Sequence, residues 1–149
     1  FAKSALPTSS DWVLPFGRGV VRRTGDDLTV VTYGAMVHRS LQAAAQLAED
    51  GISVEVIDLR TIVPLDMQLV EDSVRKTGKV LVLHEDSRFM GFGAELAAEL
   101  GAHCFEHLDA PVRRLAAKDC PVPFNWELEA EVLPQLQDIV AAARDLAQY

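Results

Sequence analysis

The sequence predicts an α/β domain of three layers, α/β/α, built on a mixed, mostly parallel five-stranded sheet. Three observations carry that expectation. Short runs such as "LTVVTY", "ISVEVIDL" and "KVLVLH" are almost wholly apolar and rich in β-branched residues, the composition of strands covered on both faces. Stretches with apolar residues at helical spacing separate them. Glycine, proline or aspartate punctuates the junctions. At 149 residues the chain suits one domain with a real core.

Each element follows in order. Residues 1–18 are rich in Ser, Pro and Gly, with Trp12, Val13 and Leu14 as the strong apolar group, and read as the remnant of an interdomain linker. The chain begins with Phe rather than Met, so a preceding segment is expected, and the folded unit is assigned to residues 19–149. "GVVRRTGDDLTVVTYG" reads as two short strands around a Gly25-Asp26-Asp27 turn, a hairpin signal that sets the first strand antiparallel to the second. After Gly34, residues Val37, Leu41, Ala44 and Ala48 recur at helical spacing, and Gly51 marks the stop. "ISVEVIDL" is the next strand. Asp66 is an N-cap candidate for a helix with Met67, Val70 and Val74 on one face, Arg75 and Lys76 in its last turn, and Gly78 past its end. "KVLVLH" leads into a helix with Phe92, Leu96 and Leu100 on one face, and "APVRRLAAK" supplies a further strand. One last helix is expected to use Val132, Leu136, Ile139, Ala143 and Leu146, with Pro134 in its first turn.

Composition narrows the function. Fourteen Lys and Arg against 22 Asp and Glu give a net charge of −8, opposite to the basic footprint of a nucleic-acid binder. No apolar run approaches the roughly 20 residues that span a bilayer. The local basic clusters, Arg18 with Arg22 and Arg23, and Arg113 with Arg114, read as solvated faces or partner contacts. Cys104 and Cys120 make no disulfide framework, fit no standard zinc spacing and suit a reducing compartment. His103 and His107 stand four apart, as paired metal ligands on a helix can, yet no third ligand follows at a familiar spacing.

Ligands of such sheets usually bind beyond the carboxyl ends of the strands, which singles out Thr32, Tyr33, Asp58, Arg60 and His84 to Asp86. "HED" could offer a general base beside two carboxylates. With no nucleophile nearby, the plainer expectation is that His84 ends its strand, Glu85 and Asp86 bond the turn, and Gly91 and Gly93 reverse the chain. Gly91 and Gly93 also begin a dinucleotide fingerprint, but Leu96 occupies the third small position, and no Gly-x-Ser-x-Gly elbow or Walker loop is present. Asp58 and Arg60 suggest a local ion pair; alternatively Arg60 reaches across a subunit boundary to an anion or carboxylate. Asp109, before Pro111 in "HLDAPV", fits a turn acceptor for backbone N–H groups.

Taken together, "LTVVTYGAMVHRSLQAAAQLAEDGISVEVIDLRTIVPLD", "KTGKVLVLHEDSRFMGFGAELAAEL", "LDAPVRRLAAKDCPVPF" and "LPQLQDIV" resemble the C-terminal domain of transketolase-type thiamine diphosphate enzymes. The likeness is greatest to the β subunit, or β-like half of a fused chain, of the decarboxylating component of 2-oxo acid dehydrogenase complexes, and it covers nearly everything after residue 14. "VIDLRT...PLD" and "HE....GFGAE" are its most specific parts. The wording between the acid and the Gly-Phe pair, "DSRFM", departs from the commonest family pattern.

The resemblance implies a domain without catalytic, cofactor-binding or metal-binding residues of its own. Thiamine diphosphate and Mg²⁺ would be held elsewhere, by an α part and an upstream β domain. His84, Glu85, Gly91 and Gly93 would form a structural loop. The partners implied are the α subunit or α-like domain, the upstream β domain, a second copy, and the peripheral subunit-binding domain of the acyltransferase component. For the last of these, Asp109 and Tyr149 (if it is the natural chain end) match the docking features. The substrate would be a branched-chain 2-oxo acid or pyruvate, in the cytoplasm of a bacterium or the mitochondrial matrix of a eukaryote. A transketolase or deoxyxylulose-phosphate synthase domain, a free-standing interaction module and a small Rossmann-like nucleotide binder are the alternatives.

Overall fold

The computed structural model describes residues 13–149; the linker expectation for residues 1–12 and Trp12 lies outside the described residues. Five strands form one sheet: β1 (Val20–Arg23), β2 (Leu28–Thr32), β3 (Val54–Asp58), β4 (Val80–Ser87) and β5 (Arg113–Ala117), in the order β1-β3-β2-β4-β5. β2, β3, β4 and β5 run parallel, and β1 is antiparallel on the edge beside β3. Helices α1 (Ala35–Glu49), α2 (Met67–Thr77) and α3 (Phe92–His103) fill the crossovers, and α4 (Trp126–Val132) and α5 (Leu136–Ala147) end the chain. A 3₁₀ turn spans Phe105–His107. The three-layer, mixed five-stranded expectation therefore holds. Among the described residues, no helix is long and apolar enough to cross a membrane.

The first hairpin does not form. β1 pairs with β3, and β2 lies beyond β3. The reason is burial: Val54 to Ile57 are buried, which demands a neighbour on each edge, whereas β1 is only partly covered and tolerates the outside position. The Gly25-Asp26-Asp27 turn accordingly crosses the start of β3. Asp27 N donates to Ser53 O at 2.9 Å, Ser53 N donates to Asp27 Oδ2 at 2.6 Å, and Asp26 N donates to Ser53 Oγ at 3.2 Å.

Alternation along β2 and β4 divides the core. Leu28, Val30, Leu81 and Leu83 face α1 and α5, where they meet Met36, Ala43, Leu47, Ile139, Ala143 and Leu146. Val31, Val80 and Val82 face α2 and α3, where Val70, Val74, Leu96 and Leu100 cover them. A fully buried leucine such as Leu47 contributes about 2 kcal/mol through the apolar area it removes from water. One polar network crosses the second core. Thr29 Oγ1 lies 2.7 Å from Ser73 Oγ and 2.8 Å from Thr77 Oγ1, and Ser73 also donates to the buried Glu55, which Lys76 neutralises.

Local chemistry sets the helix ends. Asp66 caps α2 by accepting from Leu69 N, a contact of about 1 kcal/mol in typical helices, and Gly78 ends it in the left-handed region at φ 67°. The expected single C-terminal helix is broken. Leu133, which precedes Pro134, is extended at φ −88° and ψ 145°, because the proline ring crowds a helical residue before it. Val132 thus belongs to α4, Pro134 precedes α5, and the Asp138 carboxylate accepts from Gln135 N at 2.8 Å. Arg39, bonded to Pro134 O, and Arg144, 2.5 Å from Asp50, hold α5 to α1 at either end.

Candidate functional site

The crossover β2-α1-β3 leaves β2 on one face of the sheet and β3-α2-β4 returns on the other, so the switch point lies between the carboxyl ends of β2 and β4. Thr32 and Tyr33 flank it from β2, and His84 to Ser87 from β4. Aromatic rings occupy this crevice. Tyr33 meets Phe92, the first residue of α3, edge-on with centroids 5.9 Å apart at 76°. Burial pushes the Tyr33 hydroxyl pKa up, and Asp86 and Glu85 add to it.

His84 is 1% exposed, and neither ring nitrogen has a hydrogen-bond partner among the described residues. Two glycines make room for its ring. A Cβ on Gly93 would lie 2.5 Å from His84 Cδ2 and nearer still to Nε2, while one on Gly91 would lie 3.1 Å from Cε1 and overlap Ser87 O. The "GFG" sequence therefore seats the first turn of α3 flat on a buried imidazole. Glu85 is half-buried, and Asp86 is exposed with Oδ1 accepting Ser87 N at 2.8 Å.

Burial lowers the His84 pKa, against the opposing pull of Asp86 and with minor help from Arg114. Since the folded-state pKa lies below the unfolded value near 6.5, the unfolded chain binds the proton first as pH falls. Stability should be highest above about pH 6.5 and decline below it, until the folded-state pKa is passed. Chemical denaturation from pH 7.5 to 5 tests this: the His84→Asn variant should lose less stability over that range than the unsubstituted chain.

The other flagged residues are dispersed. Arg60 makes no ion pair with Asp58; its backbone N donates to Asp58 Oδ1 at 3.1 Å, its φ is 59°, and the residue is exposed. Arg113 pairs with Asp145, whereas Arg114 donates to Arg88 O, so that basic cluster divides. His103 bonds Glu71 at 3.0 Å, and among the described residues no group of three or more His, Cys, Asp or Glu could hold a metal. The Gly25-Asp26-Asp27 turn is engaged by Ser53, and Gly25 lies against the backbone of β3. These residues do not fit a diphosphate or its metal ion.

Asp109 and Tyr149 do come together. They line one groove of about 630 Å³ with Phe105, Leu108, Pro111 and Val112. Phe105 and Tyr149 stand 77% and 67% exposed at its rim. The Asp109 carboxylate is not a turn acceptor; it rests on Gly78, where a Cβ would lie 2.8 Å from its Cγ, while Asp109 N donates to Gly78 O at 2.8 Å. Gly78 ends α2, so this carboxylate sits at the negative end of a helix and pairs with no cation among the described residues. Such a charge is poorly compensated within its own domain. Sequence reading missed Phe105, Leu108, Pro111 and Val112, because no periodicity marks apolar residues in a turn.

Residues 17–139 match the family described as "Transketolase, C-terminal domain". The chain is 44% identical over 148 residues to the 2-oxoisovalerate dehydrogenase subunit beta of Bacillus subtilis, covering 99% of itself and 45% of that protein. It is 43% identical to the mitochondrial pyruvate dehydrogenase E1 component subunit beta-2 of rice, Oryza sativa subsp. japonica, over 97% of itself and 38% of that protein. A solved structure titled as a split-gene transketolase, inactive β4 tetramer, superimposes with TM-score 0.79 at 31% identity, over 97% of this chain and 47% of that one. The chain thus spans less than half the length of these relatives. On the matched residues and the superimposed fold, the chain belongs to the transketolase C-terminal domain family.

Proposed function

We propose that this domain is the C-terminal part of the β subunit, or of the β-like half of a fused chain, in a thiamine diphosphate-dependent 2-oxo acid dehydrogenase. The intact enzyme would decarboxylate a branched-chain 2-oxo acid or pyruvate and pass the acyl group to lipoamide. Thiamine diphosphate and Mg²⁺ would be bound outside this domain, by the α part and the upstream β domain. The domain's own work is association with those parts and docking of the acyltransferase component. Its compartment would be the cytoplasm of a bacterium or the mitochondrial matrix of a eukaryote. The observation that carries the reading is the alignment of 99% of the chain with a 2-oxoisovalerate dehydrogenase β subunit. A transketolase reading has the split-gene structure in its favour, at the lower identity of 31%.

The groove supports the docking role. It joins apolar walls to an uncompensated carboxylate, suited to a basic peripheral subunit-binding domain whose lysines or arginines approach Asp109 while an aliphatic side chain enters beside Phe105. Asp109→Lys should weaken binding of that domain at least about tenfold, with little change in melting temperature, because the carboxylate is exposed. Calorimetric titration measures it. Unchanged affinity would remove Asp109 from the interface, and no binding by the unsubstituted protein would remove the docking role.

A further inference from the structure

Glu55 interrupts the apolar run of β3. Its neighbours Val54 and Val56 pack on the α1 side of the sheet, whereas Glu55, 3% exposed, turns to α2. Ser73 Oγ donates to one oxygen of its carboxylate, and Lys76 Nζ, on a side chain 42% exposed, donates to the other. Ser73 Oγ lies 2.7 Å from Thr29 Oγ1, so the hydroxyl that holds the carboxylate is itself fixed to β2. A buried ion pair seldom serves a fold better than apolar residues of the same volume. Stability alone therefore does not account for this one.

The pair opens onto a groove. α2 covers the middle of the sheet and leaves the edge strand β1 only partly covered, and a space of about 280 Å³ lies between them. That is just below the roughly 300 to 1,000 Å³ of drug-sized sites, which limits an occupant to a few non-hydrogen atoms. Val21 of β1 and Leu69 of α2 give the groove apolar walls, and Glu55 and Lys76 give it charges of opposite sign. Asp72 at the rim is already engaged, by Gln68 at 2.7 Å and Arg75 at 3.3 Å. A carboxylate offers about four acceptor positions. Glu55 uses two of them among the described residues, which leaves acceptor capacity on the deepest charge in the groove.

We propose that the groove between β1 and α2 is a binding site for a small aliphatic α-amino acid. Such a molecule carries an ammonium and a carboxylate on one carbon, and beside the Glu55 and Lys76 pair the two charges pair head to tail, ammonium with Glu55 and carboxylate with Lys76. The ammonium donates to the unused acceptor positions of Glu55, an interaction strengthened by the burial of that carboxylate. The aliphatic side chain lies between Val21 and Leu69 and removes their apolar surface from water. A simple cation would leave Lys76 without a ligand charge, and a simple anion would meet Glu55 with like charge. Binding ties the partly covered edge strand to α2, so an occupied groove holds β1 on the sheet more firmly. The proposal goes beyond the dehydrogenase reading and stands without it.

Titration of the 149-residue chain with L-valine, followed through its backbone amide resonances, tests the site. Saturable shifts are expected at Val21, Thr24, Leu69 and Lys76. Three probes that each lack one part of L-valine separate the contributions. Isovalerate, without the ammonium, should bind at least about tenfold more weakly, since it forfeits a charged hydrogen bond to a buried group. Glycine, without the isopropyl group, should also lose about tenfold through the apolar area left in water. Isobutylamine, without the carboxylate, should lose a smaller factor of about three, because Lys76 is partly exposed. The double variant Glu55→Gln with Lys76→Met removes both charges together and leaves no unpaired ion, and its affinity for L-valine should fall at least about tenfold. Should that variant fail to fold, the three probes still decide on the unsubstituted chain. No saturable shift with L-valine, shifts confined to residues outside the groove, isovalerate or isobutylamine bound as tightly as L-valine, or a folded double variant with unchanged affinity would each overturn the proposal.

Discussion

Gly25→Ala is expected to lower stability by about 3 kcal/mol or more, near the upper end for forcing extra volume into a filled site. The added Cβ would stand 2.6 Å from Val54 O and closer still to Val54 C and Glu55 N. Those atoms are backbone of β3, which parallel pairing with β2 and antiparallel pairing with β1 hold from both sides. No rotamer change relieves the overlap. Either β3 shifts and strains both ladders, or the turn lifts and loses its three bonds to Ser53. For a domain of this size the loss corresponds to roughly 10 °C in melting temperature. A denaturation midpoint within experimental error of the original would show that the turn does not cross β3 as described.

Gly93→Ala should cost about 2 to 3 kcal/mol by a different route. Here the new methyl overlaps the His84 imidazole, a side chain fixed between β4 and α3 at 1% exposure. A side chain can be removed where a backbone cannot. In the double variant Gly93→Ala with His84→Ala, the added methyl enters space that the ring has vacated, so the two costs should be less than additive by 1 kcal/mol or more. Strict additivity in that double-mutant cycle would refute the contact between the glycine and the ring.

Most of the architecture was legible because its signals are local. The β-branched runs, the Asp66 cap and the Gly78 stop each act within a few residues, and β2, β3, β4 and α2 fall where those signals put them. The hairpin misled because Gly25-Asp26-Asp27 has the chemistry of a tight turn, while the partner of β1 is decided by how deeply β3 is buried, a property of the assembled sheet. Periodicity likewise ran through Pro134, although the restriction that proline places on Leu133 outweighs a shared apolar face. At the site, Gly91 and Gly93 were visible as turn residues, but their contact with His84 joins a helix to a strand and has no signature in spacing. Asp109 and Tyr149, 40 positions apart, meet only because α5 returns across the sheet and ends at the groove.

The division of the core into two faces also fixes an order of completion during synthesis. The face under α2 and α3 draws its buried residues from positions up to Cys104, with Leu108 and Val112 packed at its margin, and can close once β5 has left the ribosome. The face under α1 needs Ile139, Val140, Ala143 and Leu146 of α5. Until α5 is made, the apolar side of Leu28, Val30, Leu81 and Leu83 that α5 covers stays open to solvent. A nascent chain halted after β5 is therefore a half-covered sheet, the form in which chaperones have most to bind.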